Sequence, residues 1–138
     1  MSAAVTVRLF EGPLAASSTA EAPPGAGAVW VFEGRVRPEE DGRSLTALRY
    51  EAYPPMTTRQ LEALAEEVRL AHGVFALHVE HSTARVPVGE VSFRLTVHSA
   101  HRKAGLAAAD AFIDRMKRDV ALWKTPLFAG EAEAARGG

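Results

Sequence analysis

The sequence predicts an α+β fold with a largely antiparallel sheet and two main helices. Three observations predict it. Short β-type runs recur at residues 5–10, 29–37, 45–53, 74–81 and 91–98. Two longer stretches carry apolar residues at helical spacing. Hairpin-like strand pairs are thus mixed with only two helices, the pattern of an α+β domain.

Residues 5–10 alternate apolar and polar side chains and read as a first short strand. Residues 11–28 are rich in Ala, Ser, Pro and Gly, and Pro23, Pro24 and Gly25 mark them as loop. Residues 29–37 form a β-type run with Gly34 inside it, and residues 38–42 a polar turn. Residues 45–53 alternate again, with Leu45, Ala47 and Arg49 on one face and Thr46, Leu48 and Tyr50 on the other. The two runs are expected to pair as a hairpin.

Pro54 and Pro55 stop that strand, and Thr57 or Thr58 is placed to cap a helix through its side-chain oxygen. Leu61, Leu64, Ala65 and Val68 make the buried stripe, and His72-Gly73 ends the helix. Residues 74–81 and 91–98 are strands joined by a turn-rich link at 85–90. Ser99, Ala100, His101 and Arg102 open the second helix, with Leu106, Ala109, Phe112, Ile113 and Met116 as its expected buried face. Asp119 and Val120 close it. Residues 120–128 allow a last short strand, and 129–138 are small and polar, an expected frayed tail. There is no internal repeat, and 138 residues suit one domain spanning 1–138.

Composition excludes several chemistries. Net charge is −1, so no global field draws the chain to nucleic acid or to a membrane, and any anion site must be a local cluster of cations. No apolar run approaches the roughly 20 residues of a membrane span, and the first residues lack the pattern of a signal peptide, so the cytoplasm is the expected compartment. No cysteine is present, which excludes disulfides, thiolate metal sites and a cysteine nucleophile. The histidines lack metal-ligand spacing; His78 and His81, three apart on a strand, face opposite ways. No metal or cofactor is called for.

Three segments could carry chemistry. Arg35 and Arg37 point the same way if their strand is regular, and two guanidinium groups can grip a phosphate or carboxylate. A solvated face paired with Glu33, Glu39 or Glu40 is the plainer account. His101, Arg102 and Lys103 crowd a helix start, where cations are unfavourable unless an anion joins them. Lys117 ends the helix, where a cation is naturally stabilised. Lys124 follows an apolar Leu-Trp pair, a setting in which a lysine can act as base or nucleophile, although a plain surface lysine is the simpler account. His101 and Lys117 stand sixteen residues apart on one helix, roughly 24 Å at 1.5 Å per residue. They can serve one small site only across a homodimer interface.

In order, Phe32-x-Gly34-x-Val36-Arg37, Leu48-x-Tyr50-Glu51-Ala52-Tyr53-x-x-Met56, Val88-Gly89-Glu90, Ser99-Ala100-His101-Arg102, Ile113-Asp114-x-x-Lys117 and Trp123-Lys124 resemble the MoaE family, the large subunits of molybdopterin synthase. The resemblance runs from about Trp30 to Lys124. It implies an α/β hammerhead fold and a central homodimer with a small ubiquitin-like sulfur carrier (MoaD type) at each end, a heterotetramer. It implies a sulfurtransferase of molybdenum-cofactor biosynthesis: the carrier's C-terminal Gly-Gly thiocarboxylate enters a pocket and passes sulfur to cyclic pyranopterin monophosphate (precursor Z). By position Lys117 and Lys124 match the family's catalytic lysines. Arg37, His101 and Arg102 match its anion-binding residues, the last two contributed by the neighbouring subunit, and Phe32 and Met116 join them as substrate-binding candidates. Without cysteine, the sulfur must arrive on a partner.

The chain departs from the family pattern in three places, one of them a C-terminal extension expected to be shorter than is usual in the family. His81-Ser82-Thr83-Ala84 stands where His-Arg-x-Gly is common, and Lys124-Thr125-Pro126 where Lys is followed by a basic residue and Glu. Two other readings stay open: a divergent, non-catalytic subunit that docks the carrier, and a small α+β binder of a phosphorylated metabolite. The terminal Gly137-Gly138 is the mark of the carrier rather than of the large subunit, and is expected to be a flexible end.

Overall fold

The computed structural model describes residues 4–17 and 22–131. In chain order the elements are β1 (Val5–Glu11), β2 (Ala28–Arg35), β3 (Glu39–Glu40), β4 (Arg43–Ala52), α1 (Met56–His72), β5 (Ala76–Pro87), β6 (Val91–Ser99), α2 (Arg102–Asp119) and β7 (Leu122–Phe128). The expected α+β class, largely antiparallel sheet and two helices are all present. The strands join into one sheet in which only β1–β5 is parallel; β2–β6, β5–β6, β4–β5, β4–β7 and the short β3–β4 pair are antiparallel.

Two apolar clusters hold the fold. In the larger, Leu61 and Val68 of α1 and Phe112 of α2 pack on Leu77, Val79, Leu95 and Val97 of β5 and β6. Opposed residues of an antiparallel pair share a face, so His81, opposite Phe93, lies on this helix-covered side. The smaller cluster joins Val36, Leu45, Leu48 and Val86. On the opposite sheet face, buried Arg94 is held by Glu33 (2.8 Å), Glu80 (2.9 Å) and the Ala15 carbonyl (2.8 Å), which balances its charge.

Several expectations are corrected. Residues 29–37 and 45–53 do not form a hairpin: β2 pairs with β6, while β4 lies between β5 and β7. A register shift at Gly34/Arg35 turns the chain off the sheet, and the Val36 N–H goes to the Glu90 carbonyl (3.0 Å). The link expected at 85–90 is shorter, because β5 continues to Pro87 through a kink at Ala84 (φ 63°), beyond which the strand pairs with β4.

Neither Thr57 nor Thr58 caps α1, whose N-cap is Pro55 without a side-chain bond. Thr57 is instead fully buried inside the first turn. Its Oγ1 accepts from Tyr53 N (2.8 Å) and donates to the Ala121 carbonyl (2.7 Å). On α2, Leu106 is 53% exposed, and the buried face comprises Gly105, Ala108, Ala109, Phe112 and Met116. Ala109, Phe112 and Met116 are as expected, Ile113 is half-buried, and Gly105, close to Trp30 and Ser99, joins the face with Ala108 in place of Leu106. Glu11 and Ala28, expected in the loop, end β1 and begin β2. Of the expected tail, Ala129 N bonds to Ser44 O (2.9 Å) and Glu131 N to Phe128 O (3.2 Å); Gly137 and Gly138 lie outside the described residues.

Candidate active site

A cavity of about 570 Å³ opens where the two apolar clusters meet. β2 and the segment after it bring Phe32, Arg35 and Arg37. The β3 hairpin brings Glu39 and Glu40, β4 brings Tyr50, and the C-terminal turn of α2 brings Met116 and Lys117. Lys124 comes from β7, and His81, Ser92 and Phe93 form part of the wall. Four cationic side chains therefore face two carboxylates around this cavity.

The lysines are set by the turn between α2 and β7. Val120 N caps α2 on the Met116 carbonyl (3.2 Å), and Leu122 N returns to the Val120 carbonyl (2.9 Å). Between them Ala121 is clamped by α1: its carbonyl accepts from Thr57, and its N–H donates to Gln60 Oε1 (2.8 Å). The spacing of seven residues thus becomes one lysine on a helix end and one on a strand, both facing the same space. Lys117 sits in the last turn of α2, where the helix dipole favours a cation. Lys124 Nζ lies 3.7 Å from Glu40 Oε1. Arg35 bonds the Gly89 carbonyl (3.0 Å) and stands 3.6 Å from Glu33.

The inner wall is aromatic and neutral. Phe32 packs on Phe93 (ring centroids 5.9 Å apart), and Phe93 stacks on Phe112 (6.5 Å). The Tyr50 hydroxyl donates to Ser92 Oγ (3.0 Å), and burial raises its pKa, with Glu40 adding to the rise. His81 touches both Tyr50 and Phe93, and burial pushes its pKa down to about 4.

Of the seven residues singled out from sequence, Lys117, Lys124, Arg37, Phe32 and Met116 line this cavity. His101 and Arg102 do not. They lie at the other end of α2, where His101 is the N-cap and the Arg102 carbonyl accepts from Trp30 Nε1 (2.9 Å). The Ser99 hydroxyl donates to the His101 carbonyl (2.6 Å). Sequence reasoning missed Tyr50 and Ser92, and it weighed His81 only as a metal ligand. Among the described residues no group of three or more His, Cys, Asp or Glu could hold a metal, and no helix is long and apolar enough to cross a membrane.

Comparison with known proteins agrees with this architecture. The family model described as MoaE protein matches residues 10–119. The molybdopterin synthase catalytic subunit of Arabidopsis thaliana is 39% identical over 105 residues, 76% of this chain and 53% of that protein. The protein of the same name from Thermoplasma volcanium is 39% identical over 104 residues, 75% of this chain and 76% of that one. The chain spans about half the length of the plant and mammalian relatives it matches.

Among solved structures, molybdopterin synthase from Staphylococcus aureus superposes with a TM-score of 0.77 at 25% identity, covering 89% of this chain and 91% of that one. The complex of subunits 1 and 2 of the molybdopterin-converting factor from Helicobacter pylori shares the fold, with a TM-score of 0.67 at 23% identity, covering 94% of this chain and 92% of that one. The family match over most of the chain, with a fold that agrees, means that the chain belongs to the MoaE family.

Proposed function

We propose that this chain is the catalytic large subunit of a molybdopterin synthase, a sulfurtransferase. It would take sulfur from the C-terminal thiocarboxylate of a small ubiquitin-like carrier and pass it to cyclic pyranopterin monophosphate. The observation that carries the reading is the meeting of Lys117, Lys124 and Arg37 in one cavity with Phe32 and Met116. The relatives' name supports it.

The residue chemistry suits two anionic reactants. Arg37 and the lysines neutralise and position the carrier tail and the substrate phosphate, and they stabilise charge that develops at the acyl carbon as sulfur leaves. Phe32 and Met116 supply apolar wall against which a tail or a ring can lie. The working unit is proposed as a homodimer with a carrier at each end and each chain as a single domain. His101 and Arg102 then reach the cavity of the neighbouring subunit, since about 24 Å of helix separates them from their own Lys117. The cytoplasm belongs to the same proposal, on the strength of the biosynthetic relatives.

Reconstitution tests this. The chain, a thiocarboxylated carrier and precursor Z should yield molybdopterin, and Lys117→Ala should abolish turnover while leaving the dimer intact. No product, with a working control enzyme alongside, rejects the reading; carrier binding without product would instead favour a docking subunit that does not turn over. The shared site has its own test. Lys117→Ala and His101→Ala chains, each inactive alone, should regain about a quarter of wild-type activity when mixed, because half the dimers then carry one intact composite site.

A further inference from the structure

The rim of the cavity carries charge, but its inner wall offers a different kind of group. His81 is 5% exposed and is held between Tyr50 (ring centroids 5.0 Å apart, edge-on) and Phe93 (5.6 Å). Its Nδ1 lies 2.8 Å from the Ser82 carbonyl. A carbonyl only accepts, so Nδ1 carries the proton and Nε2 keeps a bare lone pair. With a pKa near 4 the ring is neutral wherever the protein works near neutral pH.

Nε2 has no hydrogen-bond partner among the described residues. It is also not sealed off: the fully buried, unpartnered side-chain atoms are Ser82 Oγ and the two nitrogens of His98. The open side of Nε2 is therefore the cavity that His81 lines. The other polar groups there differ in kind. Arg35, Arg37, Lys117 and Lys124 only donate, the Tyr50 proton is committed to Ser92, and the acceptors Glu39 and Glu40 are charged carboxylates of the β3 hairpin, Glu40 facing Lys124. Among the described residues His81 is the one neutral nitrogen acceptor on the wall, flanked by aromatic rings that suit a flat ligand.

We propose that His81 is a specificity-determining residue of this cavity, its Nε2 accepting a hydrogen bond from a ring or amino N–H of a fused nitrogen heterocycle whose anionic group is held by the cationic rim. The inference rests on the sulfurtransferase reading, which supplies such a substrate, and deepens it. A buried acceptor discriminates because an analogue that offers no donor leaves the lone pair unpaired away from water. His81 so placed selects the heterocycle, while the arginines and lysines, which read only charge, would accept many phosphates.

Calorimetric binding tests this with two probes, a pterin monophosphate and ribose 5-phosphate, the second sharing the anion and lacking the heterocycle. His81→Phe should weaken the pterin monophosphate by about tenfold and leave ribose 5-phosphate unchanged. His81→Gln, whose amide oxygen can accept, should restore most of the loss. Should His81→Phe fail to fold, His81→Met keeps the bulk without a nitrogen acceptor and takes its place. Equal weakening of both probes, no weakening of either, or a Gln variant no better than Phe overturns the proposal. Wild-type protein that ignores the pterin monophosphate altogether would count against the functional reading itself; a wild type that binds it and a His81→Phe variant that binds it equally well count against His81 alone.

Discussion

Glu40 Oε1 stands 3.7 Å from Lys124 Nζ, whereas Lys117, across the same cavity, has no carboxylate partner among the described residues. The two lysines are therefore not equivalent. One is already answered by an anion of its own chain, carried on the β3 hairpin. The other is free to meet an incoming one. Any carboxylate or thiocarboxylate that binds Lys124 must first compete with Glu40.

Removing that competitor should strengthen anion binding. Glu40→Gln keeps the shape of the hairpin and deletes the charge. A half-exposed pair of this kind contributes about 0.2–1 kcal/mol, so a peptide ending in Gly-Gly carboxylate should bind up to roughly fivefold tighter to the variant. The gain should shrink at high salt, because the competing pair is itself screened. Weaker binding by Glu40→Gln in a calorimetric titration would mean that Glu40 orients Lys124 for the ligand instead of withholding it.

The turn that aims both lysines depends on one hydroxyl. Thr57 is fully buried, and it bridges Tyr53 N and the Ala121 carbonyl. Thr57→Val preserves volume but leaves both partners unanswered, which should cost about 2–3 kcal/mol. Urea unfolding would measure this as a lower midpoint at unchanged slope. In the proposed reaction, turnover should fall more than carrier affinity, since the shifted Ala121 lies between Lys117 and Lys124. A variant as stable as wild type would show that the bridge contributes nothing net.

How much of this was legible in the sequence depended on the range of the interaction. The stripe Leu61, Leu64, Ala65 and Val68 and the alternation in residues 91–98 are local patterns, and each produced the expected element. Alternation tells which side chains share a face, but not which strand lies alongside. That is why the sequence suggests β2 beside β4, whereas β2 lies beside β6. Apart from the family resemblance, Lys124 is noticeable in the sequence only as a lysine after an apolar pair; its position opposite Lys117 depends on the Ala121 clamp, made by residues 61 and 64 positions earlier. His81 carried no signal as an acceptor, because its tautomer is set by a backbone carbonyl and its neutrality by burial.

Stability should fall on acidification well before the carboxylates titrate. His81 has a folded pKa of about 4 against an ordinary value of 6.5, caused by burial, and burial depresses His78 and His98 in the same direction. Between those values the unfolded chain binds a proton that the folded chain refuses. The stability is therefore full above about pH 6.5 and is lost as pH falls toward 4. His81 alone accounts for roughly 3 kcal/mol across that window. Denaturant unfolding at intervals from pH 7.5 to 4 should show the decline, and His81→Gln should flatten part of it. A flat profile in the wild type would contradict burial of a neutral imidazole.

Gly105 should be irreplaceable even though it lies within a helix. A Cβ there would fall 2.6 Å from Ser99 Oγ and 2.6 Å from Trp30 Cδ1. Neither neighbour can retreat freely, because Ser99 is bonded to the His101 carbonyl and Trp30 to the Arg102 carbonyl. Gly105→Ala gains up to about 1 kcal/mol in helix propensity, yet overpacking of this order costs about 1–3 kcal/mol, so the net change should be destabilising. The strain falls on the turn that carries His101 and Arg102. In the proposed homodimer the variant should therefore lose activity even at temperatures where it stays folded, and more of that loss should appear in KM for the proposed phosphorylated substrate than in kcat. Thermal unfolding read through Trp30 fluorescence, together with steady-state kinetics, would check both halves. A Gly105→Ala protein more stable than wild type would show that α2 can move off the sheet without cost, and would remove the packing reason for a glycine at this position.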